Sequence, residues 1–397
     1  MYRFRYIRES KNAGELTAAL VRIPSMNPGT SEKQMEETVC SFLENCGAML
    51  EKDPVRPGRN NVIATIPGEK SSPMLVWICH MDTVVIGNGW TRNPLEGRVE
   101  DEKIYGRGAC DMKSGLACAL WVFRKTARMV QEGPISLEYP LRLICTVDEE
   151  GDMSGVDHLI DTKLVTEEDM VMDLEPTGGE IQMAHKGRFW VELTVHGVTA
   201  HASRPEEGAD AIAAAGEIIT KMRHNIMEFP VHKELGRTTV TFGQILGGYQ
   251  PYVVPDECKL WMDFRLAPPV SGETIKKILN IICADVKESM PGIQTEYLIT
   301  GDRPYVESNQ QSVLLKQLKS AVEQVTGELP EPKVFPGYTD TAVIAGRLGN
   351  RECLSYGPGD LKYAHKPDEF VEIKDIERCE KVLTELVKNM VLKKRGV

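Results

Sequence analysis

Five short segments carry side chains that bind divalent cations, and each lies where an apolar run ends or a turn begins. They are His80 and Asp82 in WICHMDTV, Asp111 in GRGACDMKSG, Asp148, Glu149 and Glu150 in CTVDEEGD, Glu175 in DLEPTGG, and His365 in YGPGDLKYAHKPDE. Together they offer two imidazoles and at least three carboxylates, a donor set for two divalent cations sharing one bridging carboxylate. Such a pair activates water against a polarised substrate. The pattern therefore reads as a two-metal hydrolase.

Each segment also has a plainer reading. On a strand, residues i and i+2 face one side, so Asp82 is placed to accept the ring N–H of His80; a capped strand end with a surface histidine fits the same residues. Asp111 lies among Gly106, Gly108 and Gly115 and stands where a GxGxxG loop needs its third glycine, which disfavours a dinucleotide site. A metal bridge and a helix N-cap remain for it. Glu149 and Glu150 follow the apolar run LRLICTV, one residue on after Asp148, so one can bind metal while its neighbour acts on water; the alternative is an acidic solvated loop. Glu175, before Pro176, also fits an ordinary strand terminus.

The elements that position these residues follow from periodicity. From residue 14 to 175 helical and strand patterns alternate. Ser31 with Gln34 forms a capping box, and Met35, Val39, Phe42, Leu43 and Cys46 share one helical face. Continuous apolar runs over 61–66, 74–79, 141–147 and 170–174 fit buried strands of an α/β sheet, whose sites lie beyond the strands' carboxyl ends. Near residue 185 the pattern changes. Phe189, Val191, Leu193 and Val195 alternate with polar neighbours, a strand with one buried face, and helices over 209–224 and 273–290 with strands over 238–245, 258–265 and 293–299 complete a β-α-β-β-α-β order. The expected fold is α/β: a mixed-sheet catalytic domain in two parts, 1–184 and 299–397, with an inserted ferredoxin-like α+β unit at 185–298.

Composition bounds the function. A chain of 397 residues suggests two or three domains at about 150 residues each, and 42% hydrophobic residues supply a core. A net charge of −11 and a pI near 5.4 disfavour nucleic acid as a partner, since phosphate binding wants a basic face. The N-terminal MYRFRYIRESKNAGEL has no apolar core behind its basic residues, and no run approaches the ~18 apolar residues of a membrane span, so a soluble cytoplasmic protein is expected. The ten cysteines are scattered and form no CxxC pair, which favours reduced, buried thiols over disulfides or a cysteine zinc site. His158, His185, His196, His224 and His232 have no ligand-like setting.

In this order and at these separations, the five segments resemble the M20 metallopeptidase family, which includes acetylornithine and succinyl-diaminopimelate deacylases, aminoacylases and glutamate carboxypeptidases. The resemblance covers nearly the whole chain. It implies two zinc ions, with cobalt as a substitute: His80, Asp111 and Glu175 on one, Asp111, Glu150 and His365 on the other. It makes Glu149 the general base and acid, Asp82 an outer carboxylate, and the Asp111-Met112 peptide cis. In VTAHASRPEEGADAI it points to His201 as a residue that completes the partner subunit's site in dimers built through the inserted lid domain, although a loop histidine fits there too. Arg265 in WMDFRLAP matches a substrate-carboxylate arginine, and Thr339 in GYTD and Gly357 in GPG match substrate-side loops. The implied activity is cleavage of an N-acyl amino acid or short peptide with a free carboxylate; the alternative is a non-catalytic metal-binding or regulatory protein of this fold. One departure stands out, because Tyr252 replaces the asparagine that often precedes the Val-Val-Pro sequence.

Overall fold

The structure, a computed structural model, describes residues 7–29, 32–133 and 135–394. These fall into two compact units. One holds the described residues up to Met183 with Ser308–Phe335 and those from Thr339 on, and the other holds Ala184–Glu307 with Pro336–Tyr338.

The first unit is built on an eight-stranded mixed sheet. In chain order its strands are β1 (Met49–Arg56), β2 (Arg59–Ile66), β3 (Leu75–His80), β4 (Leu141–Thr146), β5 (Met170–Asp173), β6 (Gln182–His185, which runs into the second unit), β11 (Lys333–Phe335) and β12 (Cys353–Ser355). They lie in the order β1-β2-β4-β3-β5-β12-β6-β11. The central strands β4, β3, β5 and β12 are parallel, and antiparallel pairings flank them. All six residues of β3 are buried, as a sheet covered on both faces requires. Leu75, Trp77 and Cys79 join a large cluster with helices α1 (Ala13–Val21), α2 (Lys33–Leu43), α3 (Lys113–Glu132), α7 (Val313–Thr326) and α9 (Ile373–Met390). Val76 and Ile78 point the other way, toward the side where α8 (Asp340–Leu348) packs on β5 and β12 and pairs with α4 (Ser154–Asp161).

Several element ends differ from the periodicity. Helix α2 begins at Lys33 without a side-chain cap bond; Ser31 of the expected capping box lies outside the described residues. Strand β4 stops at Thr146, so Asp148, Glu149 and Glu150 lie in a turn rather than on alternate strand faces. Ten cysteines are free and all but Cys40 are buried.

The second unit is a four-stranded antiparallel sheet of β7 (Gly187–His196), β8 (Thr239–Gly247), β9 (Glu257–Leu266) and β10 (Gln294–Arg303), ordered β8-β9-β7-β10. This is the ferredoxin-like arrangement. Helices α5 (Ala211–Met227) and α6 (Gly272–Ser289) cover one face, meeting Phe189, Val191, Leu193 and Val195. Asp210 caps α5, accepting from Ile212 and Ala213, and Ser271 with Thr274 forms a capping box on α6; these caps, rather than apolar spacing, set the helix starts. Strand β10 continues to Arg303, past the expected end at 299, because its ladder with β7 runs to the Arg188–Arg303 pair. Among the described residues no helix is long and apolar enough to cross a membrane.

One glycine fixes how closely α3 meets the sheet's carboxyl end. A Cβ on Gly115 would lie 2.1 Å from the Leu174 carbonyl oxygen. Gly115→Ala should therefore force helix and strand apart and cost about 1–3 kcal/mol, read as a lower denaturant midpoint. An unchanged midpoint would show that this contact relaxes freely.

Candidate metal centre

The metal-type residues converge because three adjacent parallel strands end together. His80 closes β3, Glu149 and Glu150 sit in the turn after β4, and Glu175 lies two residues beyond β5. Asp111 precedes α3, but it does not cap it: Met112 holds the N-cap position and no side chain closes the first turn. The Asp111-Met112 peptide is cis. His365 follows a short turn at Leu361–Tyr363 and has φ of 61°, the left-handed region.

Asp111 stands at the centre. Its Oδ1 is 3.1 Å from His80 Nε2 and its Oδ2 is 3.3 Å from His365 Nε2. His80 Nε2 is also 3.7 Å from Glu175, and His365 Nε2 is 3.1 Å from Glu150. Each oxygen of one carboxylate thus faces a different imidazole, and each imidazole faces a second carboxylate. Donor atoms of His80, Glu149 and Glu175, and of His80, Asp111 and Glu150, lie within 4.8 Å of one another.

The charge balance fits cations. Among the described residues, the ion pairs of Asp111, Glu150 and Glu175 are with His80 and His365, not with a lysine or arginine. Burial pushes the carboxyls of Glu149 and Glu175 well above the usual range and raises Glu150, with the Asp111 charge adding to the last two. Burial also acts to raise Asp111, but hydrogen bonds from His365 and His80 outweigh it and hold its carboxyl below the usual range. Contacts with Asp111 and Glu150 push His365 up to about 10. Acids crowded in this way with only two imidazoles are a site that divalent cations neutralise.

The comparisons with known proteins bear on this geometry. Residues 76–389 match the family described as peptidase family M20/M25/M40. The chain belongs to that family. It is 28% identical over 356 residues to an acetylornithine deacetylase of Myxococcus xanthus, covering 87% of this chain and 89% of the relative, and 26% identical over 403 residues to that of Proteus mirabilis, covering 96% and 97%. In fold it resembles aminopeptidase PepT of Bacillus cereus, with a TM-score of 0.79 at 23% identity over 96% of this chain and 98% of that one. It also resembles the Bacillus subtilis YXEP protein, described as a dinuclear metal-binding peptidase, with a TM-score of 0.71 at 16% identity over 94% and 96%. As an M20 chain it is a hydrolase of the metallopeptidase class.

The frame around the M20 centre differs from the sequence expectation at Asp82. The Nδ1 of His80 lies 2.9 Å from the main-chain oxygen of Asp82 and 3.6 Å from its carboxylate, so the main chain orients the ring. The carboxylate instead accepts the backbone N–H of Glu149 at 3.2 Å and of Glu150 at 3.1 Å. It holds the acidic turn.

Three supports lie outside the expected site residues. Asn27 donates to Asp82 at 2.9 Å and to Asp148 at 2.8 Å, separating two carboxylates 66 positions apart in sequence (148 − 82). Arg59 pairs with Asp148 at 3.0 Å and with buried Glu32, whose carboxylate takes the Asp148 N–H at 3.2 Å. Asp148 is thereby satisfied away from the centre, at φ of 69°. Glu369 accepts the N–H groups of Cys110 at 2.9 Å and Asp111 at 3.1 Å while Arg107 pairs with it at 2.5 Å. Its place four residues after His365 is the only hint the sequence held.

The other expected residues fall elsewhere. Thr339 is buried and caps α8, accepting from Ala342, and Gly357 exchanges hydrogen bonds with Thr177. His201 and Arg265 belong to the second unit. His201 sits on an exposed loop paired to Val253, with Ala202 N–H donating to the Tyr252 carbonyl at 3.0 Å. Arg265 pairs with Asp263 at 3.0 Å.

If Asn27 separates carboxylates by donating to both, the isosteric Asn27→Asp should damage metal binding more than Asn27→Ala. A loss of roughly 10–100-fold in zinc affinity is expected for the aspartate variant, measured by competition with a chelating dye. A better aspartate than alanine would mean Asn27 only fills space.

Proposed function

We propose that this M20 hydrolase is a co-catalytic di-zinc amidohydrolase that cleaves the amide bond of an N-acyl amino acid or short peptide bearing a free carboxylate. The observation that carries the reading is Asp111, whose two oxygens face two different imidazoles. His80, Asp111 and Glu175 would hold one cation and Asp111, Glu150 and His365 the other; imidazole with carboxylate is a donor set that suits zinc, with cobalt able to replace it. Such ions supply Lewis-acid polarisation and lower the pKa of water.

The protein's own groups would do the rest. Glu149 is not needed in either ligand set, and its carboxyl lies among the same donor atoms. It is placed to take the proton of the attacking water and return it to the leaving nitrogen. His201 has the form of an oxyanion donor. The backbone N–H of Ser203 can only donate, and it points at Nδ1 from 3.2 Å with Ser203 Oγ at 2.8 Å, so the neutral ring carries its proton on Nε2. Arg265 offers a planar fork to the substrate carboxylate. We take Thr339 and Gly357 as shaping the substrate side of the catalytic unit from beneath. The chain is proposed to act as a homodimer through the inserted unit, acting as a lid, with His201 completing the partner's site. Edge strand β8 supports this, since it presents exposed Ile245 and Leu246 beside an unpaired backbone edge.

Two measurements test the reading. Chelation should abolish amide hydrolysis reversibly, and Glu149→Gln should lower kcat by roughly 10²–10⁴ with metal content intact while Glu150→Gln loses metal. Equal metal loss in both would remove Glu149 from its role. His201→Ala mixed with Glu149→Gln should regain activity upon subunit exchange, because one heterodimer site carries neither lesion. Demonstrated exchange without recovery would place His201 outside the partner's site.

A further inference from the structure

The first unit joins two segments 180 positions apart, 175–179 and 357–361, along a single seam. Gly357 donates its N–H to Thr177 Oγ1 at 3.1 Å, and the same hydroxyl donates back to the Gly357 carbonyl at 3.3 Å. The N–H groups of Gly178 and Gly179 reach the carbonyls of Gly359 at 2.5 Å and Gly357 at 3.0 Å, while the Leu361 N–H reaches that of Pro176 at 3.1 Å. The fit leaves no room for a side chain at 357. A Cβ there would lie 2.3 Å from the Leu174 carbonyl oxygen and 2.4 Å from that of Glu175. Thr177 and Gly357 are buried, so a bond lost in the seam would leave a backbone group without water to replace it.

Both segments lead to proposed metal ligands. The first begins with Glu175, whose carbonyl accepts the Thr177 N–H at 2.8 Å, and the second runs through the Asp360-capped turn at Leu361–Tyr363 to His365. Cys110, next to Asp111, donates its thiol to the Asp360 carbonyl at 3.3 Å. Three ligand-bearing segments therefore meet at one seam. Arg378 ties the seam to α9: its Nη2 donates to the Gly178 carbonyl at 2.8 Å, while Asp375, one turn earlier on the helix, pairs with the guanidinium at 3.1 Å. Gly179 leaves room for this contact, since a Cβ there would lie 2.4 Å from Nη2.

We infer that Thr177 and Arg378 are positioning residues for the metal centre, aiming Glu175 and His365 by holding the backbone of the seam. The inference rests on the ligand sets proposed above. Zinc takes its donors within narrow distances and in a near-tetrahedral arrangement, so the backbone that carries them must be fixed before the ion arrives. Asp82 and Glu369 fix the turns of Glu149, Glu150 and Asp111. Thr177 and Arg378 serve the two loop ligands on the other side of the bridge.

Zinc affinity of the full chain is measured by competition with a chelating dye, in wild type and variants. Thr177→Val keeps the shape but removes the hydroxyl, and Arg378→Gln removes the charged donor; each should weaken zinc binding by roughly 10–100-fold. Thr177→Ser, which keeps the hydroxyl, should stay within about threefold of wild type, and Arg378→Lys, which can still donate to the Gly178 carbonyl but has no fork, should fall between. A role confined to packing predicts the reverse at position 177, since valine keeps the volume that serine gives up. Near-wild-type affinity in Thr177→Val and Arg378→Gln, or weaker binding in Thr177→Ser than in Thr177→Val, overturns the proposal. Arg378 is partly exposed, so its variants carry the test if Thr177→Val does not fold. Glu175→Gln and His365→Gln are the references: if they lose zinc while Thr177→Val and Arg378→Gln keep it, the positioning alone fails, and if they keep it too, the ligand sets fail with it.

Discussion

Four carboxyl groups and two imidazoles share one largely buried space, and that concentration of charge is the constraint around which the first unit is arranged. Carboxylates without basic partners are expensive to desolvate, so the donors either share protons or meet cations. Asp111 relieves part of the strain by facing both imidazoles, and it alone among the four is held below the ordinary carboxylate range despite its burial.

A cluster of this kind survives only if the backbone that carries it cannot drift. Parallel strands β4, β3 and β5 end side by side, which delivers the residues to one rim. Two carboxylates outside the centre then fix the main chain: Asp82 takes the N–H groups of Glu149 and Glu150, and Glu369 those of Cys110 and Asp111. Each is compensated by a donor from a distant segment, Asn27 for Asp82 and Arg107 for Glu369. The outer acids therefore act on backbone rather than on metal, and each N–H they hold is one the turns would otherwise bury unpaired.

The second unit is arranged differently. Its helices seal one sheet face with an apolar core, and on the opposite face register sets Arg188 directly between Arg265 and Arg303. A sheet lines up side chains at regular spacing, so neighbours across strands need only matched register.

The donor residues were legible in the sequence because each closes an apolar run or opens a glycine-rich turn, and because side-chain type alone decides whether a residue can bind a cation. His80, Asp111, Glu149, Glu150, Glu175 and His365 are brought together as their types and settings suggested. The α/β class and the inserted β-α-β-β-α-β unit were legible for a similar reason, since periods of two and 3.6 residues are local properties. Contacts between distant segments were not. Nothing in IPSMNPGT marks Asn27 as the donor between Asp82 and Asp148, and the spacing of His80 and Asp82 suggested a ring-to-carboxylate bond where the fold uses the main-chain oxygen. The row of Arg188, Arg265 and Arg303 was equally hidden, because residues 77 and 38 positions apart (265 − 188 and 303 − 265) become neighbours only through strand register. The sequence by itself determined which atoms could bind metal and which segments were strand or helix; tertiary structure decided how those atoms are aimed, since aim depends on hydrogen bonds and register that form only once remote strands meet.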